Sequence, residues 1–93
     1  MKYKIISTSL FKKELKNIKK RNKNLEKLRK IVFMLANGEK LDERYRDHQL
    51  VNCSNFIDCR ECHIEPDWLL VYRIDNNKLI LLLVDTGSHN DLF

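Results

Sequence analysis

The sequence predicts a small α+β fold: an N-terminal strand, a two-helix hairpin, then antiparallel strands completing one sheet. Three observations lead there. Apolar residues recur at helical spacing between positions 9 and 36, and three β-rich runs follow position 58. A chain of 93 residues has room for one hydrophobic core, so residues 1–93 are expected to form one domain.

Each element has its own signal. Lys2 to Ser7 alternates weakly around Tyr3, Ile5 and Ile6 and reads as the first strand. Ser7, Thr8 or Ser9 can cap the helix that follows. Its apolar stripe is Leu10, Phe11, Leu15 and Ile18, with lysines on the other face. Asn22 or Asn24 caps a second helix, in which Leu25, Leu28, Val32 and Leu35 repeat and Ile31 widens the stripe. Asn37-Gly38 ends it as a C-terminal glycine cap would. Residues 39–56 are polar and irregular. Strands are expected over Cys59–Ile64, Trp68–Ile74 and Leu79–Val84. Pro66-Asp67 separates the first two, and Asp75-Asn76-Asn77-Lys78 makes the second turn, where Asn-Asn tolerates positive φ. The closing DTGSHNDLF reads as turn-like. Helices then cover one sheet face, and the other face is left for function.

Composition narrows the class. Two Gly and one Pro exclude collagen-like and low-complexity chains. The longest apolar run, from Leu79 to Val84, is far short of the ~20 residues a membrane helix needs. The N-terminus lacks the apolar core of a signal peptide, so a cytoplasmic location is expected. Charge is uneven. Residues 1–30 hold twelve Lys/Arg against Glu14 and Glu26, a balance of +10, while residues 31–93 hold six against eleven Asp/Glu, a balance of −5. Such asymmetry suggests a polyanion, an acidic protein partner, or both.

Two groups of residues could carry chemistry. Cys59-Arg60-Glu61-Cys62-His63 matches the c-type haem attachment pattern, but it lies in an expected strand and no export signal precedes it. Zinc held by Cys53, Cys59, Cys62 and a histidine is disfavoured because a strand points Cys59 and Cys62 to opposite faces. Small buried thiols are the simpler reading, with no cofactor and no metal. The other group is His48, His63, Asp67 and His89, with Trp68 and Phe93 nearby in sequence. Histidine is the side chain best suited to move a proton near neutral pH.

Three stretches go further: RYRDHQL at 44–50, CRECHIEPDWLLVYRID at 59–75 and LLLVDTGSHNDLF at 81–93. Their motifs D-H-x-L, R-E-C-H-x-E-P-D-W-L-L-x-Y and T-G-S-H-x-D-L-F, in that order, resemble the YafQ branch of the RelE-type toxins of bacterial type II toxin–antitoxin systems. The resemblance spans the chain. It implies a ribosome-dependent mRNA endoribonuclease that halts translation, and a cognate antitoxin, expected to be acidic, that wraps and silences it. Residue by residue it implies His48, His63, Asp67 and His89 as catalytic and Trp68 and Phe93 as faces for an unstacked base. In two places the chain departs from the pattern. The closing motif often has Arg before T-G-x-H, where this chain has Asp85, and the segment VNCSNFIDC lacks a usual glycine. Arg60, Arg73 and Arg46 are the candidates to replace the missing cation at the phosphate.

The residue types suit a metal-independent reaction in which the RNA 2′-OH attacks the adjacent phosphate, with a base for that hydroxyl and an acid for the leaving oxygen. His89 is the favoured acid. Lys12, Lys13, Lys16, Lys19, Lys20 and Lys23 on the helices are expected to meet the 70S ribosome, the antitoxin, or both. The competing reading is a non-catalytic RNA- or protein-binding module on the same fold, its activity weakened by Asp85.

Overall fold

The computed structural model describes residues 1–93. Strand β1 (Lys4–Ser7) leads into helices α1 (Ser9–Lys20) and α2 (Leu25–Ala36). A 3₁₀ turn at Glu43–Tyr45 precedes the short β2 (His48–Gln49), and β3 (Arg60–Glu65), β4 (Trp68–Asp75) and β5 (Ile80–Gly87) form the meander. Helix α3 (His89–Leu92) follows. The five strands run in the order β1-β5-β4-β3-β2. The meander is antiparallel, and β1 joins parallel to β5, with Lys4 opposite Ile80 and Ser7 opposite Leu83. No helix is long and apolar enough to cross a membrane.

The helix ends show how the sequence punctuates itself. Thr8 caps α1: its hydroxyl accepts from the Phe11 N–H and donates to the Val84 carbonyl, tying the helix start to β5. Both candidate asparagines are used. Asn22, at φ 58°, takes the left-handed position that ends α1, and Asn24 caps α2 by accepting from the Glu26 N–H. Gly38, at φ 79°, closes α2, where the Gly38 N–H reaches the Leu35 carbonyl and the Glu39 N–H the Met34 carbonyl.

One buried cluster lies between the helices and the sheet. It joins Phe11, Ile18, Leu28, Ile31 and Leu35 to Cys62, Trp68, Leu70, Tyr72 and Leu81. The other sheet face is covered less fully, by Phe56, Cys59, Leu69, Val71 and Leu92. Cys59 and Cys62 therefore fall on opposite faces, and burial pushes both thiols up from their ordinary range, as suits inert core residues.

Three local expectations change. The β4–β5 turn is built by Asp75, whose carboxylate accepts from the Asn77 and Lys78 N–H groups, and positive φ falls on Leu79 rather than on an asparagine. Residues 39–56 include the 3₁₀ turn and β2. The tail is helical from His89, with Ser88 and Asp91 forming a reciprocal capping box.

Candidate active site

The open sheet face carries the site. Glu61 and His63 alternate with Cys62 and Ile64 along β3, so they point away from the α1/α2 core. The His63 Nδ1–H donates to the Pro66 carbonyl (3.2 Å), and Nε2 faces Glu61 Oε1 at 3.4 Å. Glu61 itself is only 4% exposed, and its carboxylate is held beside this ring nitrogen.

His89 opens α3, and Asp67, in the β3–β4 turn, holds it twice. Asp67 Oδ1 accepts from the His89 backbone N–H (3.0 Å) and from ring Nδ1 (2.8 Å). These bonds, the backbone one first, lower the Asp67 carboxyl below its ordinary range, so it is ionised at neutral pH. With Nδ1 committed, Nε2 makes no hydrogen bond inside the protein. The His63 and His89 ring centroids are 5.6 Å apart. Phe93 stands beside them, 6.5 Å from the His89 centroid and 58% exposed.

Helix α3 has one turn and cannot stand alone. It is seated by the Ser88–Asp91 box and by a bidentate Arg21–Asp91 pair at 2.7 and 3.1 Å, which holds the Asp91 carboxyl well below the ordinary range. Gly87 makes room for it: a Cβ there would lie 2.9 Å from Asp91 Cβ.

Other expected site residues are placed differently. Trp68 is fully buried and its Nε1–H donates to Thr86 Oγ1, so it is a core residue with no face to offer a base. Arg60 shares the helix-side face with Cys62, opposite to His63, and its Nε donates to Asp47 (3.3 Å). Arg73 is on the open face but four residues along β4 from the partner of His63, roughly 13 Å away. It donates to the Ile57 carbonyl. Asp85 is buried and accepts from the Thr86 N–H, so position 85 is an interior one. His48 lies across from Glu61 on β2, exposed, with Nδ1 on the Arg46 carbonyl at 2.7 Å, and touches neither other ring. Arg46 is exposed and lines a cavity with His63. Lys12, Lys13, Lys16, Lys19 and Lys20 are exposed along α1, whereas Lys23 is half-buried and bonded to Glu65.

Glu61 is the site residue that sequence reasoning missed. It stands two positions before His63, and period-two alternation puts both on one face. It also corrects the expectation that no metal-ligand set exists. One oxygen of Glu61 and one ring nitrogen each of His63 and His89 lie within 4.8 Å of one another. Two imidazoles and a carboxylate suit zinc or copper, whereas the cysteines form no such group.

A five-stranded sheet under a basic helical hairpin, carrying paired histidines and an orienting aspartate, defines a small protein with an acid–base site of the kind an RNase uses. Comparison with known proteins makes the class specific. The model of the family described as "Bacterial toxin of type II toxin-antitoxin system, YafQ" matches residues 3–93. The mRNA interferase toxin YafQ of Escherichia coli strain B is 36% identical over 84 residues, 89% of this chain and 87% of that one. A metal-bound toxin from Helicobacter pylori superposes with a TM-score of 0.90 at 41% identity, covering 98% of this chain and 99% of that one. The E. coli DinJ–YafQ complex gives 0.87 at 34% identity, covering 98% of each chain. The chain belongs to the YafQ family of type II toxins, which are mRNA interferases and hence endoribonucleases.

Proposed function

We propose that the chain cuts mRNA on the ribosome, without a metal, by internal attack of the RNA 2′-OH. The observation that carries this is the Asp67–His89 pair. It fixes one ring with Nε2 free, 5.6 Å by ring centroids from His63. In the reaction the 2′-oxygen bonds to phosphorus and the bond from phosphorus to the 5′-oxygen breaks. His63, backed by Glu61, takes the 2′-OH proton, and His89 Nε2 gives a proton to the departing 5′-oxygen. The products are a 2′,3′-cyclic phosphate and a 5′-hydroxyl. Each proton transfer contributes about 10²–10⁴-fold. Phe93 offers a face to an unstacked base. His48, exposed at the sheet edge, contacts the RNA next to this pair.

A divalent ion on Glu61, His63 and His89 would take the ring lone pairs that proton transfer needs, so in this reading metal inhibits. The lysines of α1 dock on ribosomal RNA phosphates and on a cognate acidic antitoxin, which takes the place that DinJ has in the E. coli complex. Mapping mRNA 5′ ends after inducing the protein alone in bacteria tests the reading. In-frame cuts that vanish when translation is blocked are expected. Cuts indifferent to translation would remove the ribosome from the reaction, and no cuts at all would leave a binding module.

A further inference from the structure

Strand β2 pairs only with Arg60 and Glu61, so β3 from Cys62 to Glu65 has no strand partner on that edge. A cavity of about 450 Å³ lies along that edge, between α2 and the 3₁₀ turn, and His63 forms part of its wall. The size matches a site for one small ligand. Its charge is one-sided. Lys27, Lys30, Arg44 and Arg46 line it against one carboxylate, Glu65. That carboxylate is already taken by Lys23 (3.0 Å) and Lys27 (2.8 Å). Lys30, Arg44 and Arg46 are exposed and form no ion pair. The Arg44 guanidinium donates only to the Tyr45 hydroxyl.

Arg46 adds an independent sign. Its backbone is left-handed, at φ 50° and ψ 41°, a conformation that costs a non-glycine residue about 1–2 kcal/mol. The neighbours enforce it: Asp47 Oδ1 accepts from Tyr72 Oη (2.6 Å) and Arg60 Nε (3.3 Å), and His48 Nδ1 bonds the Arg46 carbonyl. A glycine would suit this backbone, yet an arginine is held there and turned to the cavity.

We propose that this cavity is a subsite for the RNA phosphate adjoining the scissile one, contacted by Lys30, Arg44 and Arg46. The inference rests on the mRNA-cleavage reading and extends it to the path of the strand. Unpaired cations around a concavity concentrate an anion there. The anion is assigned to mRNA rather than to ribosomal RNA or an acidic protein because His63 belongs to both the cavity and the histidine pair. A strand engaged at the histidines therefore has its next phosphate at this edge. Gripping that phosphate positions the scissile one at the histidine pair.

The test uses ribosomes programmed with a defined mRNA and three proteins: wild type, Arg46→Gly, and the double variant Lys30→Gln/Arg44→Gln. Arg46→Gly removes the charge where the backbone favours glycine, so its melting temperature should stay within a few degrees of wild type. Both variants should cleave about 10–100-fold more slowly at saturation, with affinity for mRNA-free ribosomes within about twofold. Replacing the adjoining phosphate by an uncharged methylphosphonate should slow wild type by a similar factor and cost the variants little more, as expected of two partners in one interaction. Variants that cleave like wild type, or methylphosphonate losses that simply multiply with theirs, overturn the subsite. A matching loss of affinity for mRNA-free ribosomes reassigns the cations to ribosomal RNA and overturns it too. Wild type that leaves the mRNA intact defeats the cleavage reading itself, and the subsite with it.

Discussion

Replacing Asp85 by asparagine should stabilise the protein at neutral pH. Asp85 is 4% exposed and accepts one hydrogen bond, from the Thr86 N–H. Burial raises its carboxyl from an ordinary 3.8 to about 6, against the lowering effect of the Thr86 bond, and Glu14 and Asp91 push it further up. A folded-state value above the unfolded one means that the folded chain holds the extra proton. Stability is therefore full below about pH 4 and falls as pH rises through about 6. The ionised carboxylate then costs about 3 kcal/mol at pH 7.5, an upper figure because the site relaxes. Asparagine keeps the acceptor for Thr86 and carries no charge. Urea unfolding of both proteins at pH 4.5, 6 and 7.5 should show the Asp85→Asn variant more stable by about 1–3 kcal/mol at pH 7.5, with the gain shrinking towards pH 4.5. Taking the difference cancels the titration of groups the two proteins share. A gain that does not change with pH, or a less stable variant at pH 7.5, would refute the claim that a buried charge sits at this position.

Other outcomes follow from the site. His89→Ala should abolish growth arrest with the fold retained, as circular dichroism would show, and His63→Ala and Asp67→Ala should each slow cleavage at least about tenfold. Gly87→Ala pushes a methyl against Asp91, so it should loosen α3 and slow cleavage about tenfold while the melting temperature falls only a few degrees. Changing Lys12, Lys13, Lys16 and Lys20 to Gln should leave the melting temperature unchanged and flatten the salt dependence of ribosome binding, by about one unit of slope for each phosphate no longer neutralised. Cleavage should survive EDTA once ribosomal Mg²⁺ is restored and fall on adding zinc, whereas Glu61→Gln should blunt the zinc effect.

Local rules carry much of the fold. The stripes of α1 and α2, their caps at Thr8 and Asn24, and the three meander strands all follow from spacing and turn chemistry within a few residues. The parallel docking of β1 on β5 depends on residues far apart in the chain, which no local window reads. Helix α3 has a readable signal in Ser88 and Asp91, obscured because four residues give no periodicity. Within the site, His63, Asp67, His89 and Phe93 gather as their motifs imply. Trp68 and Arg60 do not join them, because strand alternation turns both side chains into the helix-side layer. In the sequence Arg46 is only a spare cation, since the left-handed backbone that holds it is a property of the folded neighbours Asp47 and His48.

The pairing of β1 with β5 also governs how the chain acquires its structure. Lys4 must wait for Ile80, and closing a loop of roughly 75 residues costs about 4 kcal/mol of chain entropy. The α1–α2 hairpin is local and can form early, while the strand before it stays unpaired. On a ribosome making this protein, β1 leaves first and finds its neighbour only after β5 has emerged. His63 and His89 meet at the same late stage, because α3 is carried by β5 and β5 lies on β4, with Gly87 opposite Leu69. A growing chain thus holds its basic helices long before it holds a histidine pair.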